Sequence, residues 1–167
     1  NEAGGWVGEE TTFILLQQLL ARVSLPTWAY GGIGLHSAAA CYAAGAAGVV
    51  LDAQLTLTRE SQIPEATKAA IATMDGSETV CLGSELGRIC RGYVRPGFLA
   101  VEELRQVARA LAQDSRPYAA VMAEWRQAVE ARVGWGLSEE HVWPLGQDAA
   151  FAAPLAQRHR TVGGVLR

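Results

Sequence analysis

Cysteine, histidine and methionine are scarce in this chain: three, three and two among 167 residues. Three widely spaced thiols, Cys41, Cys81 and Cys90, do not make a disulfide framework. Cys41 lies in an apolar, helix-like stretch and reads as a small core residue. No Cys or His pair has zinc-ligand spacing, and no Ser-His-Asp arrangement is legible. Neither sign of charge dominates. Fourteen basic and 17 acidic side chains leave a net charge of -3, which gives no electrostatic case for nucleic acid or an anionic membrane. No apolar run approaches the roughly 20 residues that would cross a bilayer. A basic region followed by an apolar stretch is also missing at the start, so a signal peptide is not expected. The setting these absences suggest is a reducing cytoplasm. Internal repeats and low-complexity runs are lacking too.

What is present is a chain half hydrophobic by residue count, enough for one compact domain with a sizeable core. Residues 1–8 are glycine-rich and read as a loop without a strand of its own. Thr11 to Val23 is a helix, capped by Thr11 or Thr12, with Phe13, Leu16, Leu19, Leu20 and Val23 at helical spacing. Pro26 to Tyr30 is a short strand of bulky residues. It runs into Gly31-Gly32-Ile33-Gly34, and a small-residue helix follows over about 37–44, with Gly45 as its stop. Gly48 to Leu55 carries Val49-Val50-Leu51, an apolar run suited to a parallel strand buried on both faces. Strand, glycine turn, helix and strand in this length make a βαβ unit.

Beyond Leu55 the pattern turns mainly helical. Helices are expected from Pro64 to Met74, from Val101 to Asp114, from Pro117 to just before Gly134, and from about Gln147 to His159. Ser77 to Gly97 is irregular, with room for a short hairpin. Trp125, Trp135 and Trp143 are best read as helix-packing residues, with a substrate wall as the sharper alternative. His36 starts the helix after the glycine turn, where a capping or surface role outweighs contact with a phosphate. His141 and His159 read as solvated. Arg88, Arg91 and Arg95 form a basic stretch whose default is a solvated face. Contact with an acidic carrier domain or a nicotinamide-nucleotide phosphate is the alternative. Glu102-Glu103 and Glu139-Glu140 are ordinary helix N-terminal acids.

The glycine turn is the most chemical feature. Glycine lets the backbone bend tightly and lets a ligand approach its N–H groups. The following helix N-terminus supplies unpaired donors and a partial positive charge, which suit a phosphate. An ordinary tight turn is the competing explanation. The third glycine comes too early for the dinucleotide fingerprint.

Three blocks carry a resemblance: Asn1-Glu2-Ala3-Gly4-Gly5, then Ala29-Tyr30-Gly31-Gly32-Ile33-Gly34, then Ala44-Gly45-Ala46-Ala47-Gly48-Val49-Val50-Leu51, continuing to Thr58-Arg59-Glu60-Ser61. In sequence they resemble the nitronate monooxygenase family, which includes FMN-dependent enoyl-acyl carrier protein reductases. Gly146-Gln147 is similar to that family's closing glycine–glutamine turn. The wording is nearest to flavin domains of polyketide or polyunsaturated fatty acid synthases.

The resemblance implies an α/β fold: the C-terminal part of a (β/α)8 barrel over 1–61, a mainly helical lid over 62–145, and a C-terminal helix over 146–167 that returns to the barrel. It implies FMN held at Gly31, Gly32 and Gly34 with Asp52, Ala53 and Gln147, while Glu2, Gly4 and Gly5 lie near the flavin ring. NAD(P)H is a candidate reductant, and the substrate would be a small organic or carrier-bound acyl group. Two positions depart from the family. Trp6 stands where the family has its acid/base histidine, and an indole cannot exchange a proton near neutral pH. Asp52 stands where glycine is common, and its carboxylate would repel a phosphate unless turned away.

A (β/α)8 barrel typically needs about 250 residues, and only two barrel strands are legible here. The remaining strands are expected from another chain or a precursor. The alternative function is a catalytically silent structural or docking domain of a multienzyme synthase.

Overall fold

The computed structural model describes residues 2–95, 97–136 and 139–167. The glycine-rich start contains a strand, contrary to the loop expected there. Gly5–Val7 (β1) pairs antiparallel with Ile89–Tyr93 (β5), placing Trp6 opposite Cys90. A three-residue strand carries almost no alternation, and its partner lies far along the chain, so local pattern could not reveal it. β5 also pairs antiparallel with Thr79–Leu82 (β4), giving a sheet ordered β1-β5-β4. The hairpin for which the irregular segment had room therefore exists. Its connection is a short 3-10 turn, Ser84–Leu86, flanked by Gly83 and Gly87 with φ of +82° and +65°. Gly83 is fixed twice over, because an added Cβ would come within 2.6 Å of the Trp125 ring and 2.7 Å of the Arg88 carbonyl.

The second sheet is the expected βαβ unit. Trp28–Tyr30 (β2), Leu35–Ala43 (α2) and Gly48–Val50 (β3) follow in order, and β2 and β3 run parallel with Trp28 opposite Gly48 and Tyr30 opposite Val50. Both strands are shorter than anticipated. After Val50 the chain turns into a 3-10 turn at Ala53–Leu55 rather than extending to Leu55. Period-two geometry divides the faces. Ala29 packs with Leu16, Ile33, Cys41 and Ala46 into a small core against Thr12–Leu20 (α1) and α2. Trp28, Tyr30 and Val50 point the other way and are exposed (62%, 42% and 41%). Trp28 lies across Gly48, whose missing side chain makes room for the indole.

The helical part is built on the hairpin. Leu99–Ala112 (α4) buries Val101, Leu104, Ala108 and Leu111, and Tyr118–Glu130 (α5) buries Val121, Trp125 and Val129, both at helical spacing. These side chains close over Leu82, Leu86, Cys90 and Phe98. Trp125 is wholly buried, and its indole N–H donates to the Arg88 carbonyl at 2.8 Å. Glu65–Ile71 (α3) lies between the two regions in sequence, and its Ile71 joins Ala53, Tyr93, Trp143, Leu145, Ala149 and Ala152 in a further core. That core joins the turn after β3 to the C-terminal segment. The segment begins as a 3-10 turn at Gln147–Phe151 before Ala152–His159 (α6), and ends in Val162–Val165 (α7). Among the described residues no helix is long and apolar enough to cross a membrane.

The tryptophans pack as expected: Trp143 is also fully buried and stacks on Tyr93 at 5.0 Å. The three arginines do not form one basic face. Arg91 is buried and donates to Thr79 Oγ1 at 2.8 Å. Arg95 lies over Phe98 and Trp143 at 4.3 and 4.7 Å, and Arg88 over Trp6 at 5.0 Å. Strand geometry and aromatic stacking separate charges that are close in sequence. His141 packs its ring against Gly134 and Gly136 rather than standing in solvent.

Replacing Trp125 by Ala removes the largest side chain of the hairpin–helix core and its hydrogen bond. Unfolding in urea should show a loss of about 3–5 kcal/mol. A loss under about 1 kcal/mol would mean that the core does not depend on this ring.

Candidate functional site: a diglycine bend among three carboxylates

Gly31 and Gly32 cap the end of β2 with φ of +99° and +66°, values that glycine alone adopts without strain. Space is short as well. A Cβ on Gly31 would meet the Ala3 nitrogen at 3.0 Å and Thr12 Oγ1 at 3.1 Å, and one on Gly32 would meet the Glu2 side chain at 3.3 Å. The bend is tied to the tip of β3 by Gln54, which is fully buried. Its side-chain N–H donates to the Ile33 carbonyl and its oxygen accepts from the Asp52 N–H, both at 2.8 Å. Sequence reasoning brought Gln54 to the site only through the backbone of the Leu51–Gln54 turn and gave its side chain no role. An uncharged amide in a turn carries no chemical signature until its partners are known.

Three segments far apart in sequence meet at this bend. The Gln147 N–H donates to the Glu2 carbonyl at 2.8 Å. Gly4 lies against the backbone of Pro144, and Gly146 against the backbone of Glu2 and Ala3. A side chain on either glycine would collide with the opposite segment. Thr12 joins the same cluster. Its N–H donates to Glu2 Oε2 at 3.1 Å, so this distant carboxylate binds a backbone donor at the start of α1, where Thr11 makes no side-chain cap. The Thr12 hydroxyl lies 3.0 Å from Glu2 Oε2, 3.0 Å from the Tyr30 carbonyl and 2.9 Å from that of Gly31. A single hydroxyl hydrogen is shared among three acceptors.

The structure thus brings together Glu2, Gly4, Gly31, Gly32, Asp52 and Ala53 with the backbone of Gln147, whose residue is otherwise exposed. Two predicted positions differ. Gly5 stands apart, in β1 opposite Arg91. The Gly34 N–H donates to Ser37 Oγ at 2.7 Å, and the Phe151 ring lies against its Cα side. Trp6 meets Trp125 edge-on at 6.4 Å. It lines a cleft of about 250 Å³ with Thr12, Leu16, Trp28, Ala29 and Tyr30. His36 is exposed at the start of α2.

The electrostatics are unusual for an anion site because three acids stand around it. Asp52 is turned toward Tyr30, whose hydroxyl donates to Oδ2 at 2.7 Å. Burial first, then this bond and the Asp52 charge, raise the Tyr30 pKa well above the phenol range, so Tyr30 stays protonated. Burial pushes the Glu2 carboxyl up. The hydrogen bonds it accepts, those from Thr12 among them, outweigh that and hold it below the ordinary carboxylate value. The third acid, Asp148, follows Gln147 and was not singled out from sequence. It is 1% exposed, and among the described residues neither carboxylate oxygen reaches a hydrogen-bond partner. Burial, and after it the Asp52 charge, push its pKa up to about 6, while the nearby N–H groups of Asp148 and Gly32 pull it down without reaching bonding geometry.

An acid whose folded pKa lies above its unfolded value binds more protons folded than unfolded between the two. Stability therefore falls as pH rises from about 4 to about 6, and the full penalty persists above that window. Asp148→Asn should raise the unfolding free energy at pH 7.5 by up to about 3 kcal/mol and leave it nearly unchanged at pH 3.5. Urea titrations at the two values test this. An equal effect at both would remove the charge as its cause.

The nitronate monooxygenase profile matches residues 1–141. A relative from Rhodococcus jostii (strain RHA1), (3aS,4S,5R,7aS)-5-hydroxy-7a-methyl-1-oxo-octahydro-1H-indene-4-carboxyl-CoA dehydrogenase, is 40% identical over 69 residues, covering 41% of this chain and 20% of that protein. Among solved structures, FabK from Thermotoga maritima is similar at 25% identity with a TM-score of 0.69, over 91% of this chain and 46% of that one. A point mutant of the same FabK gives 0.65 at 25% identity, over 91% and 44%. The chain spans less than half the length of these proteins. The diglycine bend, the parallel strand pair behind it and the profile match across most of the chain lead to one assignment: the chain belongs to the nitronate monooxygenase family.

Proposed function

We propose that the protein acts as an FMN-dependent oxidoreductase on a small organic or acyl substrate. The observation that carries this reading is the Gly31–Gly32 bend at the end of a parallel strand, braced by Gln54 against the tip of the neighbouring strand. Phosphates favour such a place because backbone donors can converge on them there. The residues fit the group in their backbone. Both glycines have the left-handed conformation, neither adds a side chain to a bend already crowded by Glu2, Ala3 and Thr12, and the Asp52–Ala53 loop is tied beside them through Gln54. Two of the three acids are engaged elsewhere, Asp52 by Tyr30 and Glu2 by Thr12.

Bound FMN would supply the hydride or electron transfer, with Gly31, Gly32 and the turn at Ala53 holding its phosphate end. The chain's own residues bind and orient. The cleft beside Trp6 offers an apolar wall of Leu16, Ala29 and Trp28, with the Tyr30 edge, for a flat ring or an acyl group. Trp6 cannot take a proton, so substrates that must first lose one to this position are disfavoured. An already ionised nitronate, or an enoyl group accepting a hydride, needs no base there. NAD(P)H is the candidate reductant for the second case.

The exposed face of β2 and β3, with Trp28, Tyr30 and Val50, supports a further part of the reading. In a (β/α)8 barrel this face would be interior, and the rest of the barrel, in the same polypeptide or a partner, would cover it.

Full-length protein should purify yellow, with flavin absorption near about 450 nm, and release FMN on denaturation. Gly32→Val puts a branched side chain at positive φ and against Glu2, and should lower FMN affinity by about tenfold or more in fluorescence titration. Protein that is colourless and does not bind added FMN would instead support a silent structural or docking domain. If it is yellow, turnover with a nitronate against turnover with NAD(P)H and an enoyl thioester separates the two chemistries.

A further inference from the structure

One of the three acids, Asp148, stands at the bend itself. Asp148 is 1% exposed, its two oxygens have no hydrogen-bond partner among the described residues, and the Gly32 N–H is one of the groups acting on its charge. Its position is set by packing. Oδ1 would lie 2.6 Å from a Cβ on Gly146, and the Gln147 N–H holds the turn to Glu2. The charged and titratable groups facing Asp148 come from each neighbouring segment: Glu2 from the chain's start, Asp52 from the turn after β3 and Tyr30 from β2. All three raise a pKa or respond to its charge, and none is a cation. Arg158 and His159 of α6 lie at that helix's last turn, the end away from Asp148. A phosphate approaching the Gly32 N–H would therefore meet an ionised carboxylate that no side-chain cation of the described residues offsets.

We infer that phosphate binding at the diglycine bend is proton-linked through Asp148: a phosphate seats there only against the neutral carboxyl, which then donates its hydrogen to a phosphate oxygen. The one bond formed is the carboxyl O–H, and no bond of the ligand is made or broken. One proton enters from solvent, and a repulsive charge pair becomes a hydrogen bond. The carboxyl is poised for this, since burial and Asp52 already hold its pKa at about 6. Asp148 is thus a specificity-determining residue for phosphate-bearing ligands. This inference rests on the flavin reading above.

The test uses the full-length protein with two probes, FMN and riboflavin, which share a ring system and differ in the phosphate. Fluorescence titrations at pH 5 and 7.5 and calorimetry in buffers of different ionisation enthalpy give affinity and proton uptake. Because the phosphate of FMN itself ionises near about pH 6, the readout is the difference between wild type and Asp148→Asn. Asp148→Asn should bind FMN roughly thirtyfold more tightly at pH 7.5, with the gain shrinking to about twofold or less at pH 5. It should take up close to one proton fewer at pH 7.5, and riboflavin should bind both proteins alike. Asp148→Ala, a second neutral variant, should show the same flattened pH profile.

Equal FMN affinity and equal proton uptake in wild type and both variants would overturn the inference while leaving the flavin reading intact. Weaker FMN binding by both variants at pH 7.5 would overturn it too. Failure of every protein to bind either flavin at either pH would overturn both.

Discussion

The site depends on the close approach of two backbones. Glu2–Gly4 lies directly against Pro144–Gly146, and only the absence of a side chain at Gly4 and Gly146 permits the contact. From it follows the position of the Glu2 carboxylate, which binds the Thr12 N–H at the start of α1. Thr12 in turn supports Gly31 through its hydroxyl. Asp148 is carried to the bend by the same contact, because the turn it belongs to is held at the Gln147 N–H. Two segments more than a hundred residues apart therefore determine the surroundings of a turn between them. The hydrogen bonds involved each contribute only about 1 kcal/mol, and it is the excluded volume that fixes their geometry.

Around this contact, two kinds of interaction oppose each other. Packing and backbone bonds favour a tight, water-poor bend, and that tightness is costly for the acids within it. Two acids lower the cost with donors: Asp52 takes the Tyr30 hydroxyl and Glu2 takes Thr12. Asp148 has no such donor among the described residues. A site that carries unrelieved charge gives up stability for some other property, as strained or destabilised functional sites commonly do.

Much of the fold was legible in the sequence, and what was missed has identifiable causes. Helices α4 and α5 could be read because four and three buried positions recur at a period only a helix satisfies. The βαβ unit showed through its glycine turn and the apolar run at Val49–Leu51. Strand β1 was hidden because Gly5–Val7 is too short to alternate and its partner is remote. The three arginines looked like one patch because spacing along an irregular segment says nothing of direction. In the site, glycines announced themselves through conformation. Asp148 and Gln54 did not, since their roles arise from burial and from partners that only the folded chain supplies. Trp6 was noticed as a departure from the family, but its edge-on contact with Trp125 was invisible. That contact links the wall of the cleft to the core of the helical region.

Gln54 has a consequence of its own. Its amide bridges the Ile33 carbonyl and the Asp52 N–H without carrying a titratable proton. The separation between the two loops is thus insulated from acidity: the frame keeps its dimensions while the charges mounted on it change. A clamp of this kind lets a pocket alter its affinity without altering its shape.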